Sequence, residues 1–154
     1  MDKKVLIIVH SYHHGNTQKI AETIAEALKA EVKKPQDVSP KEIQEYDFIG
    51  FGAGIDSGKH YKPMLEFAQK LPKTEKRVFI FSTCGIYGRK KMFRDHAALR
   101  EILSSKGYVI EDEFSCAALD TNSVLKYFGG INKGKPNMED FENAKAFARG
   151  LAAK

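Results

Sequence analysis

The sequence predicts an α/β three-layer sandwich, built on a five-stranded parallel sheet in the order 2-1-3-4-5. Three observations carry that expectation. Val5–Val9, VLIIV, is an unbroken apolar run rich in β-branched residues, which suits a strand covered on both faces. From Thr17 the period changes: Ile20, Ile24 and Leu28 recur every four residues, with Lys19, Glu22, Glu26 and Lys29 largely elsewhere. This alternation of strand and helix then repeats to the end of the chain.

The elements follow in order. Glu31–Lys34 is a short second strand, stopped by Pro35. Ser39, Pro40 and Glu42 have the spacing of a helix start, with cap, first-turn proline and acid three after the cap. Asp47–Phe51, DFIGF, is a third strand, followed by the Gly-rich stretch GAGIDSGKHY. Pro63 opens a helix through Leu71 that buries Phe67, Ala68 and Leu71. Arg77–Ser82 is the fourth strand, and TCGIYGRK leads to a helix over Lys91–Ser105 with Met92, His96, Leu99 and Leu103 on one stripe. Gly107 stops that helix, and Tyr108–Cys116 is the fifth strand. After an irregular piece, Ala117–Pro136, a last helix starts near Asn137. Its acids lie early and its bases late, as the helix dipole favours, and Phe141, Ala144, Ala148 and Leu151 point inward.

The 154 residues read as one domain, 1–154, with 42% hydrophobic and 29% charged residues. No apolar run has the length of a membrane span, and VLIIV is too short for a signal-peptide core, so a cytoplasmic protein is expected. Cys84 and Cys116 are isolated cysteines without CxxC spacing, read as small buried hydrophobes. The net charge of +5 raises the question of a nucleic-acid partner. Its bases are scattered, however, with short clusters at Lys33–Lys34, Arg89–Lys91 and Lys133–Lys135 and no interleaved aromatics, which leaves a solvated surface or an acidic protein partner.

Ligands of such a sheet sit beyond the carboxyl ends of its strands, where the winding reverses. The first loop there, SYHHGNT, precedes a helix N-terminus, a ready anion site. Gly15 permits a tight turn, and Ser11, Asn16 and Thr17 add donors. His10, His13 and His14 also contain an H-x-x-H spacing, but no neighbouring cysteine or carboxylate completes a zinc set. AGIDSGKH, Ala53–His60, has Ala53 and His60 where a Walker A loop needs Gly and Ser or Thr, and GFGAGI has the wrong spacing and place for a dinucleotide fingerprint. Glycines let peptide groups approach a flat ring, and Tyr61, Tyr87 and His60 are candidates to stack on it. Phosphate at one end and an aromatic slot at the other describe FMN.

SYHHGNT, GAGIDSGKH and STCGIYG, in that order and spacing, resemble the three FMN loops of the flavodoxin family. The late segment Gly129–Ala148 is similar to short-chain flavodoxin-like proteins of prokaryotes. The resemblance covers nearly the whole chain and implies a flavodoxin-like fold, bound FMN and electron transfer. It implies that Ser11, His13, His14, Gly15, Asn16 and Thr17 hold the phosphate. On one side of the flavin ring it places Ala53, Gly54, Ile55, Asp56, Ser57, Gly58, Lys59 and His60. On the other it places Thr83, Cys84, Gly85, Ile86 and Tyr87, with Tyr87 as the stacking ring. Gly54 and Gly58 are the candidates for a peptide that reorients near flavin N5 with redox state.

Three features depart from the family pattern. The phosphate loop has one extra residue and a histidine before Gly15, tryptophan is absent, and the chain is basic where flavodoxins are typically acidic. The expected function is an FMN-binding electron carrier between redox proteins, with acidic partners. The alternatives are an NAD(P)H-dependent flavin or quinone reductase, or a protoporphyrinogen-oxidase-like flavoenzyme, of the same fold. Asp120, Thr121, Asn122 and Lys126 of the 117–136 loop would then contact substrate. A third reading is a fold relative that has lost FMN and acts as a binding module.

Overall fold

The computed structural model describes residues 3–11, 15–85, 88–117 and 136–154. Its elements are β1 (Val5–His10), α1 (Asn16–Leu28), β2 (Glu31–Lys33), 3-10 turns at Pro35–Asp37 and Pro40–Glu45, β3 (Phe48–Asp56), β4 (Lys59–His60), α2 (Lys62–Gln69), β5 (Arg77–Cys84), α3 (Arg89–Asp95), α4 (Ala97–Ser105), β6 (Val109–Ala117) and α5 (Met138–Ala152). The main sheet runs β2-β1-β3-β5-β6, all parallel. With the two-residue β4 set aside, this is the order expected from the sequence.

Alternation along the strands divides the interior into two apolar cores, one on each face of the sheet. Leu6, Ile8, Ile49, Phe51, Val78 and Ile80 face α2 and α4, where Met64, Phe67, Leu99 and Leu103 meet them. Val5, Ile7, Val9, Phe48, Phe79 and Phe81 face α1 and α5, against Ile20, Ile24, Ala144, Ala148 and Leu151. That gives the three layers. Among the described residues no helix is long and apolar enough to cross a membrane.

The GFG pattern of β3 has a packing cause. A Cβ on Gly50 would lie 2.2 Å from Phe79 Cζ, and one on Gly52 would lie 2.1 Å from Phe81 Cζ. The missing side chains of β3 are filled by the rings of its neighbour β5.

Three expectations change. GAGIDSGKHY is not an open loop: β3 runs on to Asp56 and pairs antiparallel with β4, Ile55 opposite His60 and Asp56 opposite Lys59. Ser57 (φ 53°) and Gly58 (φ 78°) are both left-handed, which makes the two-residue turn such a hairpin needs. The helix expected over Lys91–Ser105 is two helices that meet at His96. The start at Ser39 leads into a 3-10 turn instead of an α-helix. His13, His14, Ile86, Tyr87 and 118–135 lie outside the described residues.

Candidate functional site

The carboxyl ends of β1, β3 and β5 lie side by side because the register pairs His10 with Ala53 and Gly54 with Thr83. Three chain segments therefore meet at one edge of the sheet: Ser11 and Gly15–Thr17 after β1, the β3–β4 hairpin, and Thr83–Gly85.

The first segment is built around a helix start that lacks a side-chain cap. Gly15 occupies the cap position of α1 with φ 66°, and the first turn carries no acid. A Cβ on Gly15 would meet nothing within 4 Å. The N–H groups of a first helical turn have no acceptor within the helix. Ser11 Oγ is buried with no hydrogen-bond partner among the described residues. A buried hydroxyl of this kind costs free energy unless something fills its bonding capacity.

Thr17 ties this segment to β5. Its Oγ1 lies 2.6 Å from Thr83 Oγ1, both residues buried. In such a pair one hydroxyl donates to the other, and the accepting hydroxyl keeps its own proton to direct elsewhere. The hairpin forms the opposite wall. Tyr61 N–H donates to Gly54 O at 3.0 Å, and a Cβ on Gly54 would lie 2.7 Å from the Tyr61 ring. The Tyr61 ring stands edge-on to His10, with centroids 6.1 Å apart. Ile55 is half-buried, whereas Asp56, Ser57, Gly58 and Lys59 are exposed on the turn.

His60 is placed differently from a stacking ring. It is 1% exposed, donates from Nε2–H to Phe81 O at 3.0 Å, and packs 4.7 Å from the His96 ring. A network that sequence reasoning missed continues from there. His96 reaches Ser82 Oγ through Nε2 at 2.7 Å and Glu113 Oε1 through Nδ1 at 2.8 Å. Arg100 closes on the same carboxylate, with Nε to Oε2 at 2.8 Å and Nη2 to Oε1 at 2.7 Å. Burial alone would raise the Glu113 pKa, but these partners prevail and hold it at about 2. The one signal in the sequence was His96 itself, a polar residue within an apolar helical stripe.

The cysteines stay apart. Thr83 is opposite Cys116 and Cys84 opposite Ala117, a one-residue offset that sends the two side chains to opposite faces. Cys84 Sγ instead donates to Cys116 O at 3.6 Å and lies 3.7 Å from Ser115 Oγ, and burial pushes its thiol pKa up. Among the described residues no group of three or more His, Cys, Asp or Glu side chains is arranged to hold a metal ion.

Comparison with known proteins points the same way as this edge-of-sheet geometry. The chain is 48% identical over 148 residues to the uncharacterized protein MJ0298 of Methanocaldococcus jannaschii, covering 96% of this chain and 97% of that one. The structure of a flavodoxin from the domain Archaea superposes with a TM-score of 0.73 at 19% identity, over 97% of this chain and 96% of that chain. A flavoprotein of Lactobacillus acidophilus, solved in complex with FMN, superposes with a TM-score of 0.56 at 20% identity, over 73% of this chain and 93% of that chain. Likeness at these identities speaks for the fold. The family model of the flavodoxin domain matches residues 7–132, from the first strand through the last strand of the sheet, and on that match the chain belongs to the flavodoxin family.

Proposed function

We propose that the protein binds FMN across the three segments at the carboxyl edge of the sheet and carries electrons between redox proteins. The observation that carries this reading is the first segment: an uncapped helix start beside a buried, unpartnered serine hydroxyl. An anion with several acceptor oxygens fits both features, and a phosphate monoester is such an anion. FMN, when bound, supplies the redox chemistry, and the protein supplies position and access.

The side chains then have separate tasks. Ser11 donates to phosphate, and Gly15 brings the chain close without a Cβ between backbone and ligand. Asn16 and Thr17 present first-turn N–H groups, and the Thr17–Thr83 bond fixes the phosphate segment against the next loop. Gly54 to Lys59 flank one side of the flavin ring, and Thr83, Cys84 and Gly85 the other. Ala53 and His60 support the hairpin from behind, both buried. His13, His14, Ile86 and Tyr87 belong to the same two loops and complete the proposed set.

The test is direct. Protein purified or reconstituted with FMN should show the flavin absorbance bands at one FMN per chain, and anaerobic photoreduction should yield a one-electron-reduced flavin that persists. A colourless protein that cannot be reconstituted overturns FMN binding. Rapid two-electron reduction by NADPH, without a partner protein, overturns the carrier role in favour of a reductase.

A further inference from the structure

α3 begins directly after Gly88, just past the loop that follows β5, so it stands beside the edge of the sheet where the three segments meet. Arg89, Lys90 and Arg94 are exposed on it, and their side chains form no ion pair among the described residues. Lys91 differs, since it is held by Asp95. Between these exposed cations sits Phe93, 63% exposed, and the four residues line an open cavity of ≈ 570 Å³.

A single exposed hydrophobic residue needs no explanation. Phe93 is distinguished by being fixed in place. The Arg100 guanidinium lies 4.1 Å from its ring centroid, and Arg100 Nη2 donates to Phe93 O at 3.0 Å. Arg100 is itself anchored by Glu113 at 2.7 and 2.8 Å. The ring is therefore held outward, and little side-chain freedom remains to be lost on association. A rigid aromatic surrounded by arginines is the composition of an interface hot spot.

We propose that α3 docks an acidic electron-transfer protein, with Phe93 entering an apolar spot and Arg89, Lys90 and Arg94 meeting the carboxylates around it. The inference rests on the carrier reading and names the partner's chemistry and its landing place. The charge argues for this occupant: the whole chain is at +5, and three cations with no ion pair among the described residues are gathered within one short helix at the site. Docking there brings the partner's redox centre next to the loops proposed for FMN. FMN, held by those loops, would be the acceptor for the one electron that the partner's reduced centre gives up.

Two probes separate the outcomes: an acidic [2Fe–2S] ferredoxin, and cytochrome c as a basic protein. The oxidised ferredoxin is titrated into the ¹⁵N-labelled full chain, so that binding is read without electron transfer. The α3 amides and Phe93 should shift. Arg89→Glu with Arg94→Glu should weaken binding at least about tenfold at low salt, an effect that shrinks at high salt. Phe93→Ala should weaken it at every salt concentration. Lys70→Glu with Lys73→Glu, an equal change in net charge on exposed residues just before β5, should have a much smaller effect. Equal losses in the two double variants overturn the proposal, because net charge alone would then account for binding. So does cytochrome c binding in place of ferredoxin, or NADPH shifting α3 while ferredoxin does not. FMN uptake, measured separately on each variant, reports on the carrier reading. A chain that takes up no FMN overturns that reading, while the α3 shifts decide the docking face by themselves.

Discussion

The buried histidine next to the site should make the fold acid-labile well above the usual carboxylate range. His60 Nε2 donates to a backbone carbonyl, which leaves Nδ1 as a buried acceptor with no partner among the described residues. Burial, with the neighbouring His96, pushes the His60 pKa from 6.5 down to about 3. An unfolded chain binds a proton at this residue below pH 6.5, and the folded chain does not until about pH 3. Stability therefore rises with pH through this window and falls on acidification. At pH 4.5 the gap from 6.5 corresponds to a loss of about 2.7 kcal/mol, at 1.36 kcal/mol per pH unit. For a chain of this size that is a fall in Tm of roughly 5–11 °C. Glu113 adds to it in a lower window: its folded pKa is depressed to about 2, so its contribution is complete above 4.5 and lost as pH falls from there toward 2.

The assay is thermal unfolding followed by circular dichroism between pH 7.5 and 4.5, on wild type and His60→Gln. Glutamine keeps a donor for Phe81 O and does not titrate. The variant starts less stable at pH 7.5, and the difference should narrow by about 2.7 kcal/mol on reaching pH 4.5. Parallel profiles for the two proteins would refute the reasoning, because His60 would then gain no proton on unfolding in this range.

Three other outcomes are expected. Gly52→Ala places a Cβ 2.1 Å from Phe81 Cζ and should cost about 1–3 kcal/mol in urea unfolding, with Phe81→Leu in the same chain recovering part of the loss. Ser11→Ala should weaken FMN binding by roughly ten- to a hundredfold, the loss of a hydrogen bond to a charged group, as measured by flavin fluorescence quenching. If His13 or His14 meets the phosphate as a cation, FMN should bind more tightly below about pH 6.5 than above it. Flat affinity from about pH 5.5 to 8.5 would exclude that contact.

The fold was legible where apolar pattern and layer agree. β1 and β5 are covered on both faces, so VLIIV and RVFIFS read as strands without help from their neighbours. The end of β3 was not legible. Ala53 and Gly54 have little intrinsic strand preference, and their extended form is set by pairing with β1 and β5. The Ser57–Gly58 dipeptide was a hairpin signal inside what read as one loop. The break at His96 was hidden for a different reason: the apolar stripe keeps its spacing across it, and only the ties of the buried imidazole to β5 and β6 mark the place. The place of the candidate site followed from topology, because a sheet of this winding brings the ends of β1, β3 and β5 together. The face proposed for docking was legible only in part: Arg89–Lys91 was already a basic cluster in the sequence, but only α3 sets the exposed Phe93 and Arg94 beside it.

The two long helices of one face show why the start of α1 is read as a binding feature instead of a weak cap. α5 is closed at its N-terminus by its own residues: Asn137 Oδ1 accepts from Asp140 N–H at 3.0 Å, Asp140 Oδ2 accepts from Asn137 N–H at 2.8 Å, and Glu139 adds charge. α1 carries none of these, although it packs against α5 on the same layer. A carboxylate in its first turn would be worth about 0.3–1 kcal/mol to the helix, but it would occupy the N–H groups an incoming anion needs and repel that anion. Asn16→Asp tests this trade with nearly no change of shape. The FMN-free chain should unfold at the same temperature or slightly higher, while FMN affinity falls at least about tenfold, the effect of a like charge brought against the phosphate. Unchanged affinity would mean that the phosphate is not held at this helix start, and the assignment of Ser11, Gly15, Asn16 and Thr17 would fail with it.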